Sequence, residues 1–423
     1  MPCQTTTDAG ARPARTDARS LWRHPDFLKL WAGQTISIVG SGVTASALPL
    51  TAVLVLGASA GDMGWLLAAE SAPVLLVGVF AGVWVDRFRR RPLLVGADLG
   101  RAGLLACIPL LAALGGLRIE HLFVVAAATG GLTVVFDVAY RSFVPDLVGR
   151  QGVLEANSRL ATVEAVAEIA TPGLTGALVQ VIAAPLAILL DAVSFIWAAV
   201  CVLAIRQPEP RRPPRETSRD VWSEIGEGLR AVGRSPTLRT LAAWQAVREF
   251  FGMFIGALYV LFGLRELGLS PVLLGITVGV GGASNLLGTL LVVRVTRRFG
   301  LGPTLVGAVL VGCVTPVLIG LAPSRPIEGF VVLVAAQALD LIHPLYDVNA
   351  LTLRQIGTPD HLLGRVNATL HVLGRGVVPF GALAGGALGD AIGLRPTLLV
   401  GAAGILLGGV WLACSPIRSV RGA

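Results

Sequence analysis

Phe136-Asp137-Val138, then Asn157, then Gly176-Ala177-Leu178 return in the second half of the chain as Tyr346-Asp347-Val348, Asn367 and Gly386-Ala387-Leu388. The offset is 210 residues at all three places. Ala47-Leu48 maps in the same way onto Ala257-Leu258, and a shift of one more residue aligns Gln34 with Gln245 and Pro92 with Pro303. Both halves are too apolar for a soluble chain. Duplication inside an apolar chain is the architecture of a transporter, because two related bundles can rock about a site between them.

Hydrophobic residues make up 54% of the 423 residues and charged residues only 14%, with a mean hydropathy of +0.74. A soluble chain carries nearer a quarter charged residues. Roughly 20 apolar residues cross a bilayer as a helix. The runs predict twelve such spans: 33–56, 64–85, 92–115, 121–143, 157–182 and 184–206, then 241–264, 271–293, 302–322, 328–350, 366–389 and 394–415. Six fall in each half. The runs are long, rich in Leu, Ala and Gly, and do not alternate with period two, so a β-barrel is a poor fit. The 52 glycines suit close packing between membrane helices. The predicted class is therefore an all-α membrane protein of two pseudo-symmetric six-helix bundles.

The net charge of +8 raises the question of nucleic acid, and its distribution answers it. With the N-terminus taken as cytoplasmic, 27 of the 34 Lys and Arg fall on that side. Arg118, Arg265, Arg325 and Arg395 fall on the other, and three lie inside spans. This asymmetry is the positive-inside rule, and it predicts a multi-pass cell-membrane protein with both termini in the cytoplasm. The basic balance expresses topology; no nucleic-acid partner is expected. Cys107, Cys201, Cys313 and Cys414 sit singly in spans and Cys3 in the N-terminal tail, with no metal or disulfide spacing.

Residues 1–22 lack an apolar core and are expected to be a flexible cytoplasmic tail rather than a signal peptide. The N-terminal bundle is placed at 23–206, a cytoplasmic linker at 207–240, the C-terminal bundle at 241–415 and a short tail at 416–423. The linker opens as an extended basic stretch, with Pro208, Pro210, Pro213 and Pro214 among Arg211, Arg212 and Arg215. Val221, Trp222, Ile225, Leu229 and Val232 then recur at helical spacing, which predicts an amphipathic helix on the cytoplasmic membrane surface. A solvated linker is the plainer alternative.

The loop after span 2 reads Gly82-Val-Trp-Val-Asp86-Arg87-Phe-Arg89-Arg90-Arg91. It resembles the loop 2–3 signature of the major facilitator superfamily, Gly-x-x-x-Asp-Arg-x-Gly-Arg-Arg, with Arg89 at the inner glycine. Asp26-Phe27 with Leu30-Trp31, Pro145 to Val148 with Ala156-Asn157, Asp191-Ala-Val-Ser194-Phe195, and Gln355 through Gly364-Arg365-Val366-Asn367 are similar to the macrolide-efflux and enterobactin-exporter branch. The resemblance spans roughly residues 24–415. It implies a twelve-helix facilitator fold and a drug:proton antiporter, a monomer working on a small amphiphilic molecule, protons and the lipid bilayer. It also implies that Asp86 meets the N-terminus of helix 11, near Gly364–Asn367, when the cytoplasmic side closes. A carboxylate gains there from the helix dipole. On the residues alone, Gly82 permits close helix approach, and Arg87, Arg90 and Arg91 are expected to meet anionic headgroups. A simple Asp86–Arg90 pair in water is the bland alternative.

Family antiporters tend to carry Gly-Pro followed by glycines on helix 5. Here Thr171-Pro172-Gly173-Leu174-Thr175-Gly176 stands in that place, and Pro172 is expected to bend the helix where Gly176 lets it pack. Pro379 with Gly381, Gly385 and Gly386 repeats the device on span 11.

Ionisable residues inside spans are costly, at least ~2.5 kcal/mol each on insertion scales, so they should face the interior or a partner. Glu164 and Glu168 lie four apart on one face of span 5. Two like charges in a low dielectric do not readily ionise together, which is what a proton carrier needs. Asp340, His343 and Asp347 form a stripe on span 10, and His371 and Arg375 one on span 11. Glu168 is the first proton-coupling candidate, Glu164 its partner, and Asp340 with His343 the reserve. The plainer alternative is structural pairing: Glu168 to Arg375, Asp98 to Arg101, Arg248 to Glu249. Asp191 is expected to be a hydrogen-bond anchor beside Ser194.

By analogy with the fold, spans 1, 4, 7 and 10 line the cavity. That puts Ser41, Asp137, Tyr140, Gln245, Arg248, Glu249 and Gln337 among the candidate contacts, with few charges among apolar walls, as a large amphiphile needs. No phosphate-binding loop, catalytic set or metal cluster stands out, so neither ATP nor any cofactor is expected and the protein does not read as an enzyme. A proton-coupled nutrient importer and a non-transporting membrane sensor or assembly protein stay open beside export.

Overall fold

The computed structural model describes residues 21–77, 88–209 and 221–419. The N-terminal tail, Gly82, Asp86, Arg87 and the start of the linker lie outside the described residues. In lipid every backbone polar group has to find its partner within the segment, so each long apolar run becomes a helix. In the first half these are α1 Pro25–Leu54, α2 Ala60–Leu76, α3 Arg90–Ala113, α4 Ile119–Gly149, α5 Gln151–Ile182 and α6 Ala184–Leu203. In the second they are α7 Pro236–Arg265, α8 Pro271–Phe299, α9 Leu301–Leu321, α10 Pro326–Ile356, α11 His361–Ile392 and α12 Leu394–Ala413. Eleven are long and apolar enough to cross a membrane. The twelfth, α2, has 17 described residues and runs to the edge of the described segment.

The predicted spans fall on helices as far as the residues are described, span 2 over its first part only, and the differences lie at the ends. Several helices continue past the apolar run on the face that carries Pro25 and Ala413. The stretch Pro145 to Asn157 is helical and reverses at Gly149, whose φ of 70° is the left-handed backbone that glycine adopts without strain. Serines cap α2, α7 and α8, with Ser59, Ser235 and Ser270 each accepting a backbone N–H of the first turn.

Helices α1, α3, α4 and α6 pack together in one bundle, and α7, α9, α11 and α12 in the other. The bundles meet chiefly along two lines, α2 on α11 and α5 on α8. These are the positions that the 210-residue repeat relates. Gly386, one end of that repeat, sits where an added Cβ would come 2.8 Å from the Ala60 carbonyl. Its counterpart Gly176 lies against the Pro271 carbonyl, with no room for a side chain. Both crossings lie at the ends of the helices remote from Pro25 and Ala413, which we call the far face. The opposite, near face is held within the N-terminal bundle by polar ties. Asp26 accepts from the backbone N–H of Gln207 at 2.9 Å, and Lys29 donates to the Ala204 carbonyl at 2.8 Å.

Arg90 and Arg91 depart from expectation. Arg90 is buried, its Nη1 3.0 Å from Asp146 Oδ2 on α4. Arg91 donates to the carbonyls of Val202, Leu203 and Ile205. These two arginines meet protein, not headgroups, because the end of α6 offers unpaired carbonyls at the negative end of its dipole.

The predicted amphipathic helix forms at Val221–Arg234. Val232 is buried with Leu238, Ala242, Val366 and Leu370, and Glu227 pairs with Arg365. Gly228 lies flat against Arg365 and Thr369. One side of the linker helix is thus docked on the near-face end of α11, while Leu229 stays exposed.

Candidate functional site

A cavity of about 570 Å³ opens among α7, α8, α9 and α10, closed on one side by Glu168 of α5. Glu168, Arg248, Glu249, Asp340, His343 and Asp347 all line it, with apolar walls from Met253, Val278, Ile319 and Ile405. Six ionisable groups around one cavity in an otherwise apolar bundle is a costly arrangement that marks function.

Consecutive glycines place the two leading carboxylates. On α8, Gly281 faces Asp340 and Gln337, where a Cβ would come 3.0 Å from Asp340 Oδ2. Gly282 faces Glu168, whose Cγ would be 3.3 Å from a Cβ there. Gly275 and Gly279, about two turns and one turn earlier, seat the α5 backbone at Pro172 and Ile169. Glu168 and Asp340, far apart in sequence and on different bundles, thus flank the same turn of α8. Pro172 and Gly176 stand at this α5–α8 crossing, and Pro379 is buried on α11 one turn before Ala382, the position that the repeat relates to Pro172.

Asp340 lies in a break. Residues Leu339–Ile342 form a 3-10 turn between the two halves of α10. Pro344 follows at the second position of the resumed helix, where its ring and missing N–H prevent an uninterrupted ladder. The turn brings His343 Nδ1 to 3.7 Å from Asp340 Oδ1. The sequence signal for this break is His343-Pro344, which spacing along a regular helix overlooks.

Arg248 organises the near side of the cavity. Its Nη2 is 3.1 Å from Glu249 Oε1 and its Nη1 is 3.6 Å from Asp347 Oδ1. Its guanidinium stands over the Tyr346 ring at 5.1 Å. One cation therefore holds two of the four carboxylates, and among the described residues that line the cavity it is the one arginine.

Other candidates are placed elsewhere. Gln245 accepts from Arg354 at 2.9 Å and lies against Gly374, away from the cavity. Tyr140 stacks on Phe136 at 5.7 Å, and neither it nor Ser41, Asp137 or Glu164 lines the cavity. Glu164 and Asp137 are exposed on their helices. Arg375, suggested as a partner of Glu168, is exposed on α11. In the N-terminal bundle, Asp98 and Arg101 form a fully buried ion pair, the guanidinium held between Phe136 and Phe195 at 4.4 and 4.1 Å. Asp191 is buried and accepts from the Ser194 hydroxyl at 2.9 Å, where Gly40 of α1 packs against both.

The Major Facilitator Superfamily family model matches residues 30–380. The multidrug efflux pump Tap of Mycolicibacterium fortuitum is 29% identical over 403 residues, 92% of this chain and 95% of that protein. Macrolide efflux protein A of Streptococcus pyogenes is 23% identical over 398 residues, 93% and 96% of the two chains. Among solved structures, a bacterial homologue of the iron transporter ferroportin superposes with a TM-score of 0.74 at 18% identity, covering 92% of this chain and 97% of that one.

Proposed function

The chain belongs to the major facilitator superfamily, and on that premise we propose that it exports drug-like or natural-product amphiphiles from the cytoplasm in exchange for protons, by alternating access. One observation carries the reading. Glu168 and Asp340 reach a shared turn of α8 from opposite bundles, inside a cavity where, among the described residues, the one lining arginine is already held by two other carboxylates. A pair in that position can hold a proton while the bundles are together on the far face, and its surroundings change when they part. Relatives named for multidrug and macrolide efflux support export over import.

The test is transport by the full chain in proteoliposomes carrying a pH-sensitive dye, with a panel of amphiphilic drugs. Counterflow of drug and protons is expected. Co-flow would make it an importer, and no flux with any compound would favour the sensor reading.

On this reading the near face is cytoplasmic. A cysteine at Ser324, on the α9–α10 turn of the far face, is expected to react with an impermeant maleimide in intact cells, and one at Leu154, at the start of α5, only after permeabilisation. Reversed labelling would invert the direction of transport.

Asp86 remains the proposed cytoplasmic gate, closing on the start of α11 beside the docked linker helix. Asp86→Asn is expected to reduce drug export to near background at equal membrane expression. Parental export by that variant would remove the gate role.

A further inference from the structure

The first turn of α2 leaves N–H groups that its own helix cannot satisfy. Ser59 caps the N–H of Asp62 at 3.1 Å, Asp62 returns the bond to the Ser59 N–H at 2.8 Å, and the Met63 N–H reaches the Ser59 carbonyl at 3.2 Å. Two donors remain, on Ala60 and Gly61. Both are taken by one carboxylate from the opposite bundle. Asp390, near the far-face end of α11, accepts from the Ala60 N–H through Oδ1 and from the Gly61 N–H through Oδ2, each at 3.0 Å. The Ser59 hydroxyl adds a third bond to Oδ2 at 3.3 Å.

We propose that Asp390 is the far-face latch of the transport cycle, a carboxylate that holds the start of α2 only while the two bundles are together on that face. The account of donors makes the contact two-state. With the far face closed, both orphan N–H groups and the positive end of the helix dipole meet a negative charge. With it open, the donors and Asp390 are left to water. Approach is close enough to need small residues. Gly61 has no space for a Cβ beside Asp390, and a Cβ on Gly389 would stand 2.7 Å from Ala60 Cβ. Arg265, at the end of α7, adds a second tie across the same face, donating to the Gly57 carbonyl in the α1–α2 turn at 2.9 Å.

The latch belongs to one crossing only. At the pseudo-symmetric crossing, α8 starts with the cap Ser270 and then Pro271, which has no N–H to offer. The residue one repeat before Asp390 is Gln180. The repeat preserves the glycine contact at both crossings, whereas the charge–helix contact stands at α2 alone. A packing role would use both crossings alike; a switch needs only one.

The inference rests on alternating access, and the experiment reads geometry without substrate or gradient, so its failure leaves the export reading standing. The full chain is placed in lipid nanodiscs, with native cysteines replaced and nitroxide pairs attached at 120 and 324 for the far face, and at 154 and 356 for the near face. In Asp390→Ala the ratio of far-open to far-closed populations is expected to rise about tenfold or more, the range for hydrogen bonds to a charged group. The near-face pair should shorten in the same samples. Asp390→Asn keeps an acceptor oxygen and should shift both pairs in the same direction by less; it decides the matter should the alanine variant not insert. Unchanged distances in these variants, or far-face lengthening without near-face shortening, would overturn the latch.

Discussion

Replacing Glu168 by Gln is expected to abolish gradient-driven export while leaving substrate binding and downhill exchange in place. The substitution keeps the shape of the side chain and removes its titrating group. Glu168 sits at the α5–α8 crossing, against Gly282 and in the cavity that also holds Asp340. Its charge state therefore acts at the contact between bundles. In proteoliposomes with an imposed proton gradient, uphill drug movement should fall to background and the dye should record no drug-linked proton flux. Exchange of labelled for unlabelled drug at equal pH should continue. Asp340→Asn, against the same turn of α8 and in the same cavity, should behave in the same way. Glu164→Gln, one turn away and outside the cavity, should have the smaller effect. Uphill export by Glu168→Gln with an unaltered pH profile would move the proton to another group. Loss of folding would instead identify Glu168 as a structural partner.

The fold is legible because its signal is long. An apolar run of about 20 residues and a repeat of 210 residues survive any detail of packing, and the helices found match the runs expected. What a span faces is much less legible. Arg248, Glu249, Gln337, Asp340 and His343 line the cavity among α7 to α10, while Ser41, Asp137, Tyr140 and Gln245 lie elsewhere. Rotation of a helix about its axis depends on neighbours, and a polar residue in a span is satisfied equally by a cavity or by a side chain across a crossing. Gln245 with Arg354 is the second case. The α10 break at Asp340 needs Pro344 to be weighed against an apparently regular i, i+3, i+7 stripe. Asp390 carries no motif at all. Its meaning comes from two unpaired donors some 330 residues earlier, a relation that only the assembled bundles reveal. The linker helix is intermediate, since its periodicity predicts a helix and only α11 shows what one side of it meets.

A larger loss of stability is expected in the N-terminal bundle, from Arg101→Leu. Arg101 is 5% exposed and pairs with Asp98, which is fully buried. Phe136 and Phe195 enclose the guanidinium, contacts worth up to ~2 kcal/mol when desolvated. Removing one member of such a pair strands a buried charge, and the cost in proteins is roughly 3–5 kcal/mol. Asp191 lies on α6 beside Phe195 and Ser194, so a second buried carboxylate loses its nearby cation as well. Leucine supplies apolar volume between the rings but no charge. The measurement is thermal stability of the full chain in detergent, followed by loss of the monodisperse peak on heating. Arg101→Leu should melt well below the parent. Asp98→Asn combined with Arg101→Leu should recover much of the loss, because the stranded charge is gone while the packing defect remains. Equal melting of the single and double variants would mean that packing against Phe136 and Phe195, and not charge, is what Arg101 contributes. A parental melting temperature in Arg101→Leu would mean that the pair is held for transport rather than for the fold, and Asp98 would then join the proton-coupling candidates.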